Sequence, residues 1–145
     1  MIQWGLVLLF FALDQASKRW ALNALAGGSK DWGLFALTLV QNKGAAFGLG
    51  QKFSALFAVL AGVFLLLGLL LLLLRTPKNV PARWGLILLL AGTGGNLADR
   101  LRAGAVVDFI DFHFWPVFNL ADTWITFGTI FLAFAIWKSE TQGGK

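Results

Sequence analysis

Four transmembrane helices in a single domain, with a small β element on the membrane between the first two, is the fold this sequence predicts. Of 145 residues, 58% are hydrophobic and only 13% are charged, against roughly a quarter charged in soluble domains. Mean hydropathy is +0.74. A soluble domain of this length could not hide so much apolar surface, so its solvent must be lipid. The apolar residues also fall into four stretches of spanning length, and the charges gather at the ends of those stretches and in the segments between them.

The first stretch, Ile2 to Leu25, has no proline and no glycine except Gly5. It lacks the positive n-region and small-residue cleavage site of a signal peptide and is expected to remain as a helix. Phe53 to Leu74 runs 22 residues without a charge, enough to cross a hydrocarbon core of about 30 Å. Trp84 to Leu101 is the third stretch, polar only toward its C-terminal end. Pro116 to Trp137 is the fourth, with Pro116 suited to a first helical turn. Trp84 and Trp137 stand where interfacial aromatics belong. Between the first two helices, Leu34 to Val40 carries β-branched Thr38 and Val40, and Asn42-Lys43-Gly44 follows as a turn signal. That pattern predicts a hairpin or small sheet on the membrane surface. Ala103 to Trp115 is too polar and irregular to span, and Phe109, Phe112, Phe114 and Trp115 are expected to hold it at the interface.

Charge excludes several classes. The net charge of +5 lies mostly at helix ends and in loops, which suits anionic headgroups rather than nucleic acid. The absence of cysteine rules out disulfides, thiolate metal sites and a cysteine nucleophile. Orientation is less sharply marked. Arg75, Lys78, Arg83, Lys138 and Lys145 lie on one side, Lys30, Lys43, Lys52, Arg100 and Arg102 on the other. Only the density of charge in the short loop from Arg75 to Arg83 marks that side as cytoplasmic.

The polar residues inside the spans point to one place. With alternating helix directions, Asp14 and Lys18 late in the first helix meet Asn96, Asp99 and Arg100 at the end of the third. Asn119 and Asp122, early in the fourth, arrive at the same membrane face, which the segments carrying Asn42 and Asp108 cap. Asp14 and Lys18, spaced i,i+4 with the acid first, read as a structural ion pair that offsets its own burial. Asp99, flanked by Arg100 and Arg102, reads as structural or substrate-orienting. Asp111, near His113, fits either a solvated loop acid or a functional one. Asp108 and Asp122 have no basic residue within four positions. An unneutralised acid within a span marks a functional site.

Two carboxylates sharing a site cannot both ionise easily, so one keeps a proton while the other acts as base. Such a pair can deprotonate a water that attacks a peptide carbonyl and can then protonate the leaving amine. Other hydrolytic chemistries are poorly supplied: one histidine and no HExxH motif argue against a zinc protease. Ser17 and Lys18, as helical neighbours, point apart. The alternative is a small proton-coupled transporter or channel subunit relaying through Asp14, Asp99 and Asp122. The polar groups occupy one half of the bundle, however, and leave no path across.

Five segments occur in order: Asp14-Gln15-Ala16-Ser17-Lys18, Asn42-Lys43-Gly44-Ala45-Ala46-Phe47, Gly95-Asn96-Leu97-Ala98-Asp99-Arg100, Val106-Val107-Asp108-Phe109 and Phe118-Asn119-Leu120-Ala121-Asp122. Together they resemble the signature blocks of the bacterial lipoprotein signal peptidases (signal peptidase II). The resemblance implies a membrane aspartic endopeptidase without metal or cofactor, cleaving signal peptides from prolipoproteins just before a diacylglyceryl-modified cysteine. It implies Asp108 and Asp122 as the catalytic dyad, with Asn42, Asn96, Arg100 and Asn119 lining the site. It also implies a location in the bacterial cytoplasmic membrane, the site at its outer leaflet and both termini cytoplasmic. Leu34 to Gly50 matches the family's extracytoplasmic β-cradle, whereas the loop from Phe112 to Trp115 is shorter than in some relatives. Partners implied are lipid-modified prolipoproteins, membrane lipids and globomycin-type inhibitors.

Overall fold

The computed structural model describes residues 2–43 and 50–143. The elements run α1 (Ile2–Ala24), β1 (Lys30–Asp31), β2 (Ala36–Asn42), α2 (Gly50–Leu74), α3 (Val80–Ala103), β3 (Val106–Asp111) and α4 (Leu120–Gly143). Part of the expected turn after Asn42 and of the second signature block, residues 44–49, lies outside the described residues.

Helix α3 is the axis. It packs against α1, α2 and α4, and every residue from Gly85 to Gly92 is buried. A helix that is apolar all round belongs in such a central position. Its contact with α4 is made by small residues. A Cβ added to Gly85 would stand 2.8 Å from the Gly128 carbonyl oxygen, and one added to Gly128 would stand 2.8 Å from that of Gly85. Between lipid-embedded helices, where apolar burial supplies little drive, such close backbone approach provides the packing. The outward faces are Leu- and Phe-rich, with Leu8, Leu66, Leu73 and Phe127 all at least half exposed. An apolar belt of this extent needs lipid to cover it. Ala55–Leu74 and Leu120–Thr141 are apolar enough to span by composition alone, with mean hydropathy of 3.0 and 1.5.

Helix α3 starts earlier than Trp84, because Asn79 caps it: its side chain accepts the Ala82 N–H at 3.4 Å, and a proline sits in the first turn. It ends at Gly104, whose φ of 68° lets its N–H donate to the Arg100 carbonyl and turns the chain into β3. Helix α4 starts at Leu120 rather than Pro116. The chain there first folds back on β3, with the Phe118 N–H donating to Ile110 O at 3.0 Å and Phe118 O accepting from both Phe109 and Ile110. His113, at φ 62°, makes the reversal.

The β element differs most from expectation. It is a three-stranded antiparallel sheet in the order β1-β2-β3, and its third strand comes from the segment between α3 and α4 that was expected to be irregular. Val40 pairs with Asp108 and Asn42 with Val106. Phe109 is therefore not an interfacial anchor: it is buried against Ala21 and Leu25 of α1 and its vicinity. Short apolar strands are invisible to periodicity when a partner strand, rather than an amphipathic pattern, selects them.

Candidate active site

Strand β3 and the start of α4 bring Asp108 and Asp122 together around one residue. Asn119 is the N-cap of α4, and its Oδ1 accepts the Asp122 N–H at 2.9 Å while Asp122 Oδ2 accepts the Asn119 N–H at 3.3 Å. This reciprocal capping fixes the Asp122 carboxylate at a helix N-terminus, where the macrodipole favours negative charge. The Asn119 amide also donates to Asp108 Oδ1 at 2.6 Å. One fully buried residue thus bonds both carboxyls, Asp108 through its side-chain amide and Asp122 through its backbone N–H.

Asp108 is 1% exposed. Its second oxygen accepts from Asn42 Nδ2 at 2.9 Å, a diagonal contact across β2 and β3. Burial raises its pKa to about 6, and the Asp122 charge adds to the effect, whereas the Asn42 and Asn119 hydrogen bonds and the Lys18 charge oppose it. Asp111, three residues along the strand, falls on the opposite face. It ends the strand, paired with Ala36, and accepts the His113 backbone N–H at 2.7 Å.

Behind the pair stands a buried charge cluster. Lys18 Nζ lies 2.9 Å from Asp14 Oδ2 and 2.8 Å from Asp99 Oδ2, and donates to Asn96 Oδ1 at 2.9 Å. All three ammonium donors are used. The pairing of Asp14 with Lys18 is as expected from spacing, but Asp99 pairs with Lys18 rather than with its neighbours Arg100 and Arg102. Each acid also holds a backbone group: Asp14 Oδ1 accepts the Ala121 N–H of α4 at 2.9 Å, and Asp99 Oδ2 accepts the Val107 N–H of β3 at 3.3 Å. The cluster thereby locates both elements that carry the acid pair. Asn96 passes the restraint on, donating from Nδ2 to Asp122 Oδ1 at 2.8 Å. Gly95 is required beside it, since a Cβ there would collide with the Asp14 carboxylate.

Gln15 escaped the reading by charge. Its Nε2 donates to Asp14 Oδ2 and Asp99 Oδ1, both at 3.1 Å, and its Oε1 accepts from Arg102 Nη1 at 2.6 Å. Its adjacency to Asp14 within the first signature block was the available signal. Arg100 donates to the Asn96 carbonyl at 3.4 Å, and its Nε is buried with no acceptor among the described residues. It lines a cleft of about 460 Å³ with Asn96 and Asp122 at the polar end and Phe57, Phe64 and Leu89 along the apolar one. Among the described residues no cluster of three or more His, Cys, Asp or Glu side chains could hold a metal.

The model of the family Signal peptidase (SPase) II matches residues 6–138. The chain is 41% identical to the lipoprotein signal peptidase of Clostridioides difficile (strain 630), covering 94% of this chain and 95% of that one. It is 45% identical to the lipoprotein signal peptidase of Pelotomaculum thermopropionicum over 77% of this chain and 73% of that one. A bacterial membrane enzyme solved by the in meso method at 2.3 Å resolution superposes with a TM-score of 0.86 at 26% identity, covering 97% of this chain and 90% of that one. A second, at 1.9 Å resolution, gives 0.83 at 27% identity over 93% and 92%. The class is a bacterial membrane enzyme, and a protease. The chain belongs to the signal peptidase II family. Membership overturns the transporter alternative.

Proposed function

We propose that this chain removes signal peptides from prolipoproteins at a diacylglyceryl-modified cysteine, with Asp108 and Asp122 as its aspartic dyad. The observation that carries the dyad is Asn119 bonded to both carboxyls, through its amide to Asp108 and its backbone N–H to Asp122, the former buried and holding its proton up to about pH 6. Asp122 takes a proton from water, whose oxygen attacks the scissile carbonyl carbon, while protonated Asp108 donates to the carbonyl oxygen. Collapse of the tetrahedral intermediate breaks the C–N bond, and the proton held by the dyad goes to the leaving amine. The cleft beside Arg100 supplies the right surroundings: an apolar wall for a lipid-bearing or signal-peptide segment, and polar groups where the peptide bond must lie. Asn42, Asn96 and Arg100 position substrate or dyad, and Asp14, Lys18 and Asp99 are structural. Purified protein in detergent should release the signal peptide from a lipid-modified prolipoprotein, with globomycin inhibiting and EDTA without effect. Inhibition by EDTA that zinc reverses would sink the mechanism.

The dyad must carry one proton in total, and its two apparent pKa values belong to the pair. As pH rises through the upper of them, near 6 in the free enzyme, kcat/KM is expected to fall. Stability moves in the same sense. A carboxyl whose pKa is raised on folding binds more protons folded than unfolded, so stability declines from about pH 4 to about pH 6 and then levels. A kcat/KM profile that keeps rising through pH 6 would contradict the protonated role of Asp108.

In this reading all four helices span the bacterial cytoplasmic membrane, the site faces outward and both termini are cytoplasmic. The cysteine-free background makes the test clean. An impermeant thiol reagent applied to intact cells should label Lys43→Cys and leave Lys78→Cys unlabelled. The reverse pattern inverts the topology.

A further inference from the structure

A second groove, also of about 460 Å³, lies between the C-terminal halves of α1 and α3 and the start of β3. It shares no lining residue with the cleft beside Arg100. Its floor is aliphatic, built from Leu22, Ala103, Ala105 and Val107, and Arg19 and Arg102 stand at its polar margin. Both arginines are exposed, and among the described residues neither forms an ion pair. The nearby acids, Asp14 and Asp99, are bound to Lys18. Counting Lys18, Arg19 and Arg102 against those two carboxylates leaves one positive charge unmatched beside an apolar floor. Arg102 is oriented as well, because Gln15 Oε1 takes one of its five N–H donors at 2.6 Å.

We propose that this groove binds one anionic phospholipid, its phosphate between Arg19 and Arg102 and an acyl chain along Leu22 and Val107. Guanidinium forks match phosphate oxygens in geometry and charge. A single anion balances the groove, whereas a zwitterionic lipid returns a cation to the same margin. The aliphatic floor gives a chain-bearing lipid an advantage that a soluble phosphate ester lacks. The site does not depend on the catalytic reading, and its test reads binding alone.

The full chain in detergent can be titrated with phosphatidylglycerol and separately with phosphatidylcholine under native mass spectrometry. Phosphatidylglycerol should be retained more tightly. Arg19→Gln with Arg102→Gln should weaken it about twenty-five-fold, each cation contributing a factor of about five, with phosphatidylcholine unaffected. Both side chains are exposed, so the double variant keeps its fold, which circular dichroism checks. Arg75→Gln, at the other end of the bundle, should leave retention unchanged. Equal retention of the two lipids, or a double variant that binds phosphatidylglycerol like the parent, overturns the proposal. Displacement by glycerol 3-phosphate also overturns it, reassigning the groove to a soluble phosphate ester.

Discussion

Asp108→Asn and Asp122→Asn are each expected to lower the turnover of a lipid-modified prolipoprotein by roughly 10²- to 10⁴-fold, the range for removing a general acid or base. Both carboxyls accept from two N–H donors: Asp122 from the Asn119 backbone and the Asn96 amide, Asp108 from the Asn119 and Asn42 amides. An Asn at either position turns its own NH₂ toward one of those donors and costs some stability as well as the proton chemistry. Asp108 is the more deeply buried, so the mismatch costs more there. Measured kcat together with a melting temperature separates the effects: both variants should melt below the parent, Asp108→Asn the lower of the two. Asp111→Asn, whose partner is a loop N–H, should retain activity. An active Asp108→Asn beside an inactive Asp111→Asn would put the dyad on the wrong acid.

Arg100→Lys is the second large effect expected. The Arg100 Nε is buried without an acceptor among the described residues in the cleft that holds Asp122, a costly state that a substrate carbonyl can relieve. Lysine keeps the charge but loses the planar fork. If Arg100 orients the scissile peptide, the substitution should lower kcat/KM by about 2–4 kcal/mol of transition-state stabilisation, with little change in melting temperature. If the arginine merely meets headgroup phosphates, either cation serves and turnover stays near that of the parent. Near-normal cleavage by Arg100→Lys would therefore reduce the residue to a membrane anchor.

Much of this molecule is decided locally. The long apolar run Phe53 to Leu74 can only be a helix in lipid, and alternating helix directions bring Asp14, Asp99 and Asp122 to one end whatever the packing details. The spacing of Asp14 and Lys18 announced their pairing, which stands at 2.9 Å. What no local pattern contains is the third strand. Val106–Asp111 is short and has no clean alternation, and it becomes β-structure because β2 offers it unpaired backbone groups and Asp99 holds its Val107 N–H. That pairing separates Asp108, turned to Asn119 and buried, from Asp111, on the opposite face at the end of the strand and bonded to the His113 N–H. Residue chemistry left these two acids nearly equivalent, and only the resemblance to a family distinguished them. The role of Gln15, and the choice of Lys18 over the adjacent arginines as the partner of Asp99, were likewise settled by tertiary structure. Sequence determines which groups can carry charge and at which end of a bundle they lie. Which of them share hydrogen bonds depends on distances set by residues far apart in the chain.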